Sequence, residues 1–135
     1  MRSIKRIVIH CTATPQNVAV QSILDYWKNV NGWESPGYHY LIEADGEVHN
    51  LTPLDQIANG AKGYNHDSIH ISYIGGEHGI DDRTNDQKMA MLALISTLKL
   101  KLYNVPIIGH RDLPGVTKAC PSFEVSDWLA KIYQT

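Results

Sequence analysis

Short β-branched runs alternate with longer amphipathic stretches along this chain, and their order limits the folds that it can adopt. We predict strands over 4–11, 38–43, 47–51, 68–74 and 106–109. We predict helices over 20–30, 84–102 and 124–133, and a single helical turn over 53–57. Asp45-Gly46 is a strong hairpin signal, and Thr84 with Gln87 forms a capping box. This order predicts an α/β fold with a central mixed β-sheet flanked by helices.

Length and charge narrow the class of protein further. The 135 residues fit one domain over 1–135, which we expect to be a monomer. The formal net charge is -2 and there is no basic block, so we expect no nucleic-acid partner. The longest apolar run, 90–95, is too short to span a bilayer, so we expect no membrane insertion. No apolar stretch of signal-peptide length precedes His10, so we expect synthesis without a general secretion signal.

Two histidines lie where predicted apolar strands end. His10 follows Ile7-Val8-Ile9, His110 ends the run that begins at Pro106, and Cys120 follows ten residues after His110. A catalytic zinc site has three nitrogen, sulfur or oxygen ligands from the protein and an open fourth position, which these residues would fit. Spacing alone leaves the alternatives open, because each histidine is more often a hydrogen-bonded structural residue and Cys120 a small buried one. Strand alternation points Cys11 away from His10, so we assign Cys11 to the core.

Six short segments, in this order along the chain, carry a resemblance to a known family. They are residues 9–14, 37–40, 61–65, 74–76, 109–112 and 118–123. The combination resembles the zinc-dependent N-acetylmuramoyl-L-alanine amidases, which include phage amidase endolysins and animal peptidoglycan recognition proteins. The resemblance covers nearly the whole chain. It implies the amidase-like fold of that family for 1–135.

The resemblance also implies an activity and a site. His10, His110 and Cys120 would hold Zn²⁺, and Tyr38 and Lys118 would complete the active site. The implied reaction is hydrolysis of the amide bond between the N-acetylmuramic acid lactyl group and L-alanine of bacterial peptidoglycan. The short single domain is similar to the phage or prophage endolysins. Such an enzyme is made in the cytoplasm and acts on the cell wall after release.

The loop over 60–65 is the expected substrate contact, through its backbone and through Tyr64 and Asn65. One departure from the family is visible here, because many relatives have a histidine where this chain has Gly60. That departure leaves the shape of the substrate groove open. Five further histidines receive no role, namely His39, His49, His66, His70 and His78. Of these, His70 falls in a predicted strand, where it could pair with another group in the core.

The two implied catalytic side chains have different expected roles. Lys118 shares a loop with Cys120, so its ammonium group would stabilise a developing oxyanion. Strand alternation predicts Tyr38 and Tyr40 on one face of the sheet and His39 on the other. If Tyr38 faces the metal, its hydroxyl would orient the reacting groups and shuttle protons.

A non-catalytic peptidoglycan-binding module is the alternative function. Members of the family that only bind the cell wall typically lack the cysteine ligand. Cys120 is present together with both histidines, which favours the enzyme. A protein–protein role added to the amidase is a third alternative, on which no segment of the sequence bears.

Overall fold

In the computed structural model, which describes residues 2–133, a mixed sheet carries helices on its faces. The strands of the described residues are β1 (Arg6–Cys11), β2 (Tyr40–Ile42), β3 (Val48–Asn50), β4 (Ser68–Tyr73) and β5 (Ile107–Gly109). Their order in the sheet is β3-β2-β4-β1-β5. β2, β4, β1 and β5 run parallel, and β3 joins β2 as an antiparallel hairpin partner. The predicted mixed α/β sheet is therefore confirmed.

The helices follow the predicted stretches closely. They are α1 (Val20–Asn29), α2 (Asn85–Lys101) and α3 (Val125–Ile132). The capping box is confirmed, because Thr84 accepts from the backbone N–H of Gln87 and the Gln87 side chain accepts from that of Thr84. Short 3-10 turns cover Asn65–Asp67, Glu77–Gly79 and His110–Asp112. Within residues 2–133 no helix has the length and apolar character needed to cross a bilayer.

Two local expectations are wrong. Residues 53–57 do not form a helical turn; the backbone N–H of Gln56 closes a tight turn on the carbonyl of Pro53 at 3.0 Å. The helical spacing of Trp128, Leu129 and Ile132 predicts that Ile132 faces inward, but it is 46% exposed because α3 ends at this residue. Val125 at the start of the same helix is fully buried instead. The helix therefore packs on the sheet through its first turns.

The two faces of the sheet differ in chemistry. Side chains alternate along a strand, so β1 and β4 each present one set of residues to α2 and α3 and another to the opposite face. The first set is apolar and packs with α2 and α3; it includes Ile7, Ile9, Ile69, Ile71, Tyr73, Met91 and Ile95. The opposite face carries buried polar side chains, namely His10, Ser68, His70 and Ser72. Helix α1 adds Ile23 and Trp27 beside Leu41 at the end of that face.

Cys11 belongs to the apolar face, as predicted. It is 4% exposed and packs in the core beneath α2, whereas its neighbour His10 lies on the polar face. The two consecutive residues therefore have different environments because the strand alternates.

The Gln87 side chain joins α2 to the ends of two strands. It is fully buried, and its amide nitrogen donates to the carbonyls of Ile42 at 3.2 Å and Ile74 at 3.0 Å. Its amide oxygen accepts from the backbone N–H of Thr84 at 3.0 Å. A buried polar group that loses its partners costs free energy, so these bonds hold the helix start against the sheet.

We expect Gln87→Leu to lower the free energy of unfolding by about 3 kcal/mol, because it leaves Ile74 and Thr84 backbone groups without their partner. Urea unfolding followed by circular dichroism measures this change. Met89→Leu is the matched control on the same helix, because Met89 is 69% exposed. A Gln87→Leu protein as stable as the Met89→Leu protein would contradict this account.

Candidate metal centre

Strand register brings the two strand-end histidines together. β1 pairs in parallel with β5, and Ile9 lies opposite Gly109, so His10 and His110 follow the same register position on adjacent strands. Their ring centroids are 4.7 Å apart. The carboxyl ends of parallel strands meet at one edge of a sheet, which is where ligands bind in α/β folds.

Cys120 reaches the histidines from the loop after β5. The backbone N–H of Arg111 donates to the Cys120 carbonyl at 2.8 Å, and the buried hydroxyl of Tyr73 donates to the Pro121 carbonyl at 2.7 Å. These bonds tie the loop at Cys120 to the turn after β5 and to the end of β4. The backbone N–H of Cys11 donates to Cys120 Sγ at 3.2 Å. The sulfur therefore lies against the carboxyl end of β1.

The three donor atoms fit a zinc ion. One ligand atom each from His10, His110 and Cys120 lies within 4.8 Å of the others, and Cys120 Sγ is 3.8 Å from His10 Nδ1. In a tetrahedral zinc site with ordinary bond lengths, a nitrogen and a sulfur ligand are about 3.6 Å apart. Catalytic zinc sites take three protein ligands, with imidazole nitrogen and thiolate sulfur among the accepted donors, and two imidazoles and one thiolate fit that count with the fourth position open. The predicted ligands are therefore brought together.

Burial sets the protonation of these groups. Burial, with His70, His110 and Lys118 as neighbouring titratable groups, lowers the pKa of His10 well below its usual value, and burial with Lys118 lowers the pKa of His110. Both imidazoles are neutral and keep a lone pair. A hydrogen bond with the Cys11 thiol and burial raise the pKa of Cys120. Metal binding therefore requires the loss of one proton, from Cys120.

Tyr38 lies beside His10, although strand alternation predicted its face wrongly. β2 begins only at Tyr40, which packs towards α2, whereas Tyr38 packs with Trp27 on the opposite face. His39 stacks on His70, so Tyr38 and His39 lie on the same side of the sheet. The reason is that residues 38 and 39 precede the strand and do not follow its alternation.

The Tyr38 hydroxyl is close to the candidate ligands. Its ring centroid is 5.0 Å from that of His10, and the hydroxyl donates to the Cys11 carbonyl at 3.3 Å. Burial raises the pKa of Tyr38 above its usual value, so the group stays protonated. It can therefore donate a hydrogen bond but is a poor general base.

A groove runs past the three donor atoms. Its central cavity has a volume of about 210 Å³ and includes His10, His110, Cys120 and Lys118 in its lining. A cavity of about 430 Å³ continues it towards α1 and shares Thr12, Ala13, Trp27 and Tyr38 with it. A third cavity, of about 320 Å³, continues it on the other side and shares Trp33, Asn59, Gly60, His110 and Lys118. We call these three cavities the groove; Lys118 lies at its centre.

The two expected substrate residues are held in different ways. The Tyr64 hydroxyl donates to the Pro114 carbonyl at 3.2 Å, and Arg6 lies over the Tyr64 ring at 5.3 Å. Asn65 lines the third cavity, but its Oδ1 accepts from the Ala61 backbone N–H at 2.8 Å. Both side chains thus take part in packing and bonding within the protein. A substrate role for them stays a prediction.

Sequence reasoning missed one buried residue that touches a candidate ligand. His70 Nδ1 is 2.8 Å from His10 Nε2, and His70 is fully buried on β4. Trp33 and Asn59 were also missed, although both line the groove. Strand alternation could have found His70, because β4 lies next to β1 and both strands present these histidines to the same face.

Comparison with known proteins identifies the family. The family model described as N-acetylmuramoyl-L-alanine amidase matches residues 1–123. The endolysin of Enterobacteria phage T3 is 38% identical over 136 residues, covering 93% of this chain and 85% of the relative.

Solved structures agree with this family. The Ph2119 endolysin from the Thermus scotoductus bacteriophage Ph2119 superposes with a TM-score of 0.84 at 26% identity, covering 97% of this chain and 85% of that one. Apis mellifera PGRP-SA shares the fold with a TM-score of 0.82 at 23% identity, covering 99% of this chain and 85% of that one. The predicted fold family and the amidase class of enzyme are confirmed. The chain belongs to the N-acetylmuramoyl-L-alanine amidase family, whose substrate is peptidoglycan.

Proposed function

We propose that this chain is a zinc-dependent endolysin, in which His10, His110 and Cys120 hold Zn²⁺ for cleavage of the bond between the muramic acid lactyl group and L-alanine. The observation that carries the proposal is the convergence of these three donor atoms within 4.8 Å at the floor of an open groove. The donor atoms come from residues up to 110 positions apart in the sequence. Packing of a hydrophobic core does not require these three side chains to lie together. The same convergence favours an enzyme over a binding module.

The bound zinc would supply Lewis acidity, which lowers the pKa of a water molecule and polarises a carbonyl group. The chain's own residues act around that reaction. Lys118 is exposed at the centre of the groove, and its charge reaches both His10 and His110, whose pKa values it lowers. An ammonium group at this position stabilises the negative charge that develops on the scissile carbonyl oxygen.

Tyr38 acts as a hydrogen-bond donor in this proposal. Its hydroxyl is protonated because burial raises its pKa, and its ring is held between His10 and Trp27. A held phenol can turn its proton from the Cys11 carbonyl, 3.3 Å away, towards substrate in the groove. This gives Tyr38 an orienting role and excludes it as the main base.

The groove gives room for a linear substrate. Aromatic side chains with few polar groups are typical of ligand sites, and Trp27, Trp33 and Tyr38 line the central cavity. Cavities on both sides extend it, so glycan and stem peptide can leave the reaction centre in opposite directions. Tyr64 and Asn65 support the wall beside Lys62 rather than the reaction itself.

The endolysin role rests on the relatives. The phage T3 protein and the Ph2119 protein both carry the name endolysin, and this chain covers 85% of each. We propose synthesis in the cytoplasm and action on the cell wall after release, as a monomer built from the single domain 1–135. Peptidoglycan is the only partner in this proposal.

We expect the purified protein to contain about one zinc per chain, because three protein ligands make one site. His10→Ala, His110→Ala and Cys120→Ser each remove one ligand, so they lose the metal and the cleavage. Metal content by atomic emission and mass spectrometry of digested sacculi measure both. The cleavage product carries a new N-terminal L-alanine on the stem peptide.

The chain offers a matched control for the histidines. His66→Ala removes an exposed histidine, so this variant keeps zinc and activity. Full cleavage by a metal-stripped sample would refute the zinc mechanism. Binding of muropeptides without new alanine termini would refute the enzyme and support the binding module.

We expect Lys118→Met to reduce kcat by about 100- to 1000-fold while zinc content is unchanged, because the oxyanion loses its cationic partner. Turbidity clearing of sacculi at saturating substrate measures the rate. Lys62→Met is the matched control, since Lys62 lines the adjacent third cavity. Equal losses of kcat in Lys118→Met and Lys62→Met would show that Lys118 acts only as a surface charge that attracts substrate.

We expect Tyr38→Phe to keep the ring against His10 and to bind zinc normally, but to lower kcat by about 10- to 100-fold, because one hydrogen bond to a charged group is lost. The same clearing assay and metal analysis test this. An unchanged kcat would show that the Tyr38 ring only packs.

A further inference from the structure

We propose that His70 is a positioning residue for the zinc ligand His10: it holds the proton of His10 on Nε2 and thereby presents Nδ1 to the metal. The inference rests on the proposed zinc function and adds a residue outside the three ligands. Metal-bound histidines commonly donate their second ring N–H to a protein acceptor, which fixes the tautomer and the ring. Here that acceptor is another histidine, whose own tautomer must also be fixed.

The backbone N–H of Ala61 fixes the orientation of the Asn65 side-chain amide, which is the last acceptor in the chain of hydrogen bonds. This N–H can only donate, and it lies 2.8 Å from the Asn65 side chain, so the facing atom is the amide oxygen Oδ1. The same oxygen is 2.9 Å from His70 Nε2. An amide oxygen only accepts, and therefore His70 Nε2 carries a proton and donates it.

The tautomer of His70 then determines that of His10. His70 is fully buried, and its two ring nitrogens face the Asn65 amide oxygen and the His10 imidazole, neither of which carries a negative charge to pair with an imidazolium, so its ring is neutral and has one donor and one acceptor. With Nε2 as donor, His70 Nδ1 is the acceptor, and it lies 2.8 Å from His10 Nε2. His10 Nε2 therefore donates, and His10 Nδ1 keeps its lone pair 3.8 Å from Cys120 Sγ. The order of donation runs from His10 through His70 to Asn65.

The His70 ring has little freedom to leave this position. It is fully buried, its backbone N–H donates to His39 Nδ1 at 3.0 Å, and its ring stacks on His39 with centroids 5.9 Å apart. His39 in turn is held by a bond from Nε2 to the Gln56 carbonyl at 2.9 Å. A ring held on several sides can orient a ligand, because its own rotation is restricted.

Gly60 makes room for this arrangement. A Cβ atom at residue 60 would lie 2.5 Å from both Cγ and Nδ1 of His70, which real contacts do not allow. The φ of Gly60 does not require glycine, so the close approach of His70 is the reason for it. The His70 ring fills the space beside Gly60, the position at which the sequence departs from many relatives.

Two isosteric variants separate the positioning role from simple packing. In His70→Asn the side-chain oxygen takes the place of Nδ1 and can still accept from His10. In His70→Gln the amide takes the place of Nε2, so it still bonds to Asn65 but leaves His10 Nε2 without an acceptor. Gly60→Ala is a third variant, which pushes the ring away with one methyl group. His49→Asn is the control for loss of an imidazole, because His49 lies on β3 and bonds to Glu43 instead of His70.

The test measures zinc affinity by chelator competition and the His10 tautomer by long-range ¹H–¹⁵N NMR on zinc-free protein. We expect the wild-type protein to carry the His10 proton on Nε2. We expect His70→Gln and Gly60→Ala to raise the zinc Kd by about 10- to 100-fold and to mix the His10 tautomers. We expect His70→Asn and His49→Asn to stay close to the wild type in both measurements.

Other outcomes are decisive as well. A wild-type His10 proton on Nδ1, or equal zinc Kd values in His70→Gln, Gly60→Ala and the wild type, would overturn the inference while leaving the zinc enzyme intact. Equal losses of affinity in His70→Asn and His70→Gln would assign His70 to packing and also overturn it. Absence of zinc binding by the wild-type protein would instead contradict the proposed function, and the NMR result would still decide the tautomer. If the His70→Gln protein does not fold, Gly60→Ala tests the same loss of the His10–His70 hydrogen bond through the zinc Kd and the His10 tautomer.

Discussion

The parallel pairing of β1 with β4 on one side and β5 on the other is the constraint from which the candidate metal centre follows. Because all three strands point the same way, the residues at their carboxyl ends share one edge of the sheet. Two histidines far apart in sequence thus become neighbours without any local motif. The loop that returns from β5 needs only to fold back once to add Cys120. The apolar core beneath α2 keeps this edge rigid.

Much of this arrangement could be predicted from the sequence. A short β-branched run marked β1, alternation marked β4, and the capping pair Thr84 and Gln87 marked the start of α2 within one residue. His10 and His110 stood out as candidates because each ends an apolar run, although spacing alone left a structural role for both open. Cys120 lies in an irregular loop with no such pattern, and only the family resemblance connected it to the histidines.

The wrong or missed sequence predictions arise where the local pattern does not determine the structure. Tyr38 was assigned to the wrong face because alternation applies only inside a strand, and β2 begins two residues later. Residues 53–57 have the composition of a helix start but close a single turn. His70 was visible in the sequence as a strand residue, yet its contact with His10 depends on how close β1 and β4 bring their side chains. Such side-chain contacts are products of packing, which periodicity does not encode.

The absence of a side chain at residue 60 and the imidazole at residue 70 have an evolutionary consequence. A larger residue at position 60 collides with the ring at position 70, and a side chain at 70 without an acceptor in the place of Nδ1 leaves the His10 proton without a partner. The residues allowed at each position therefore depend on the residue at the other. Libraries that randomise one site at a time would recover few alternatives, and paired diversification would reveal further combinations that selection can reach.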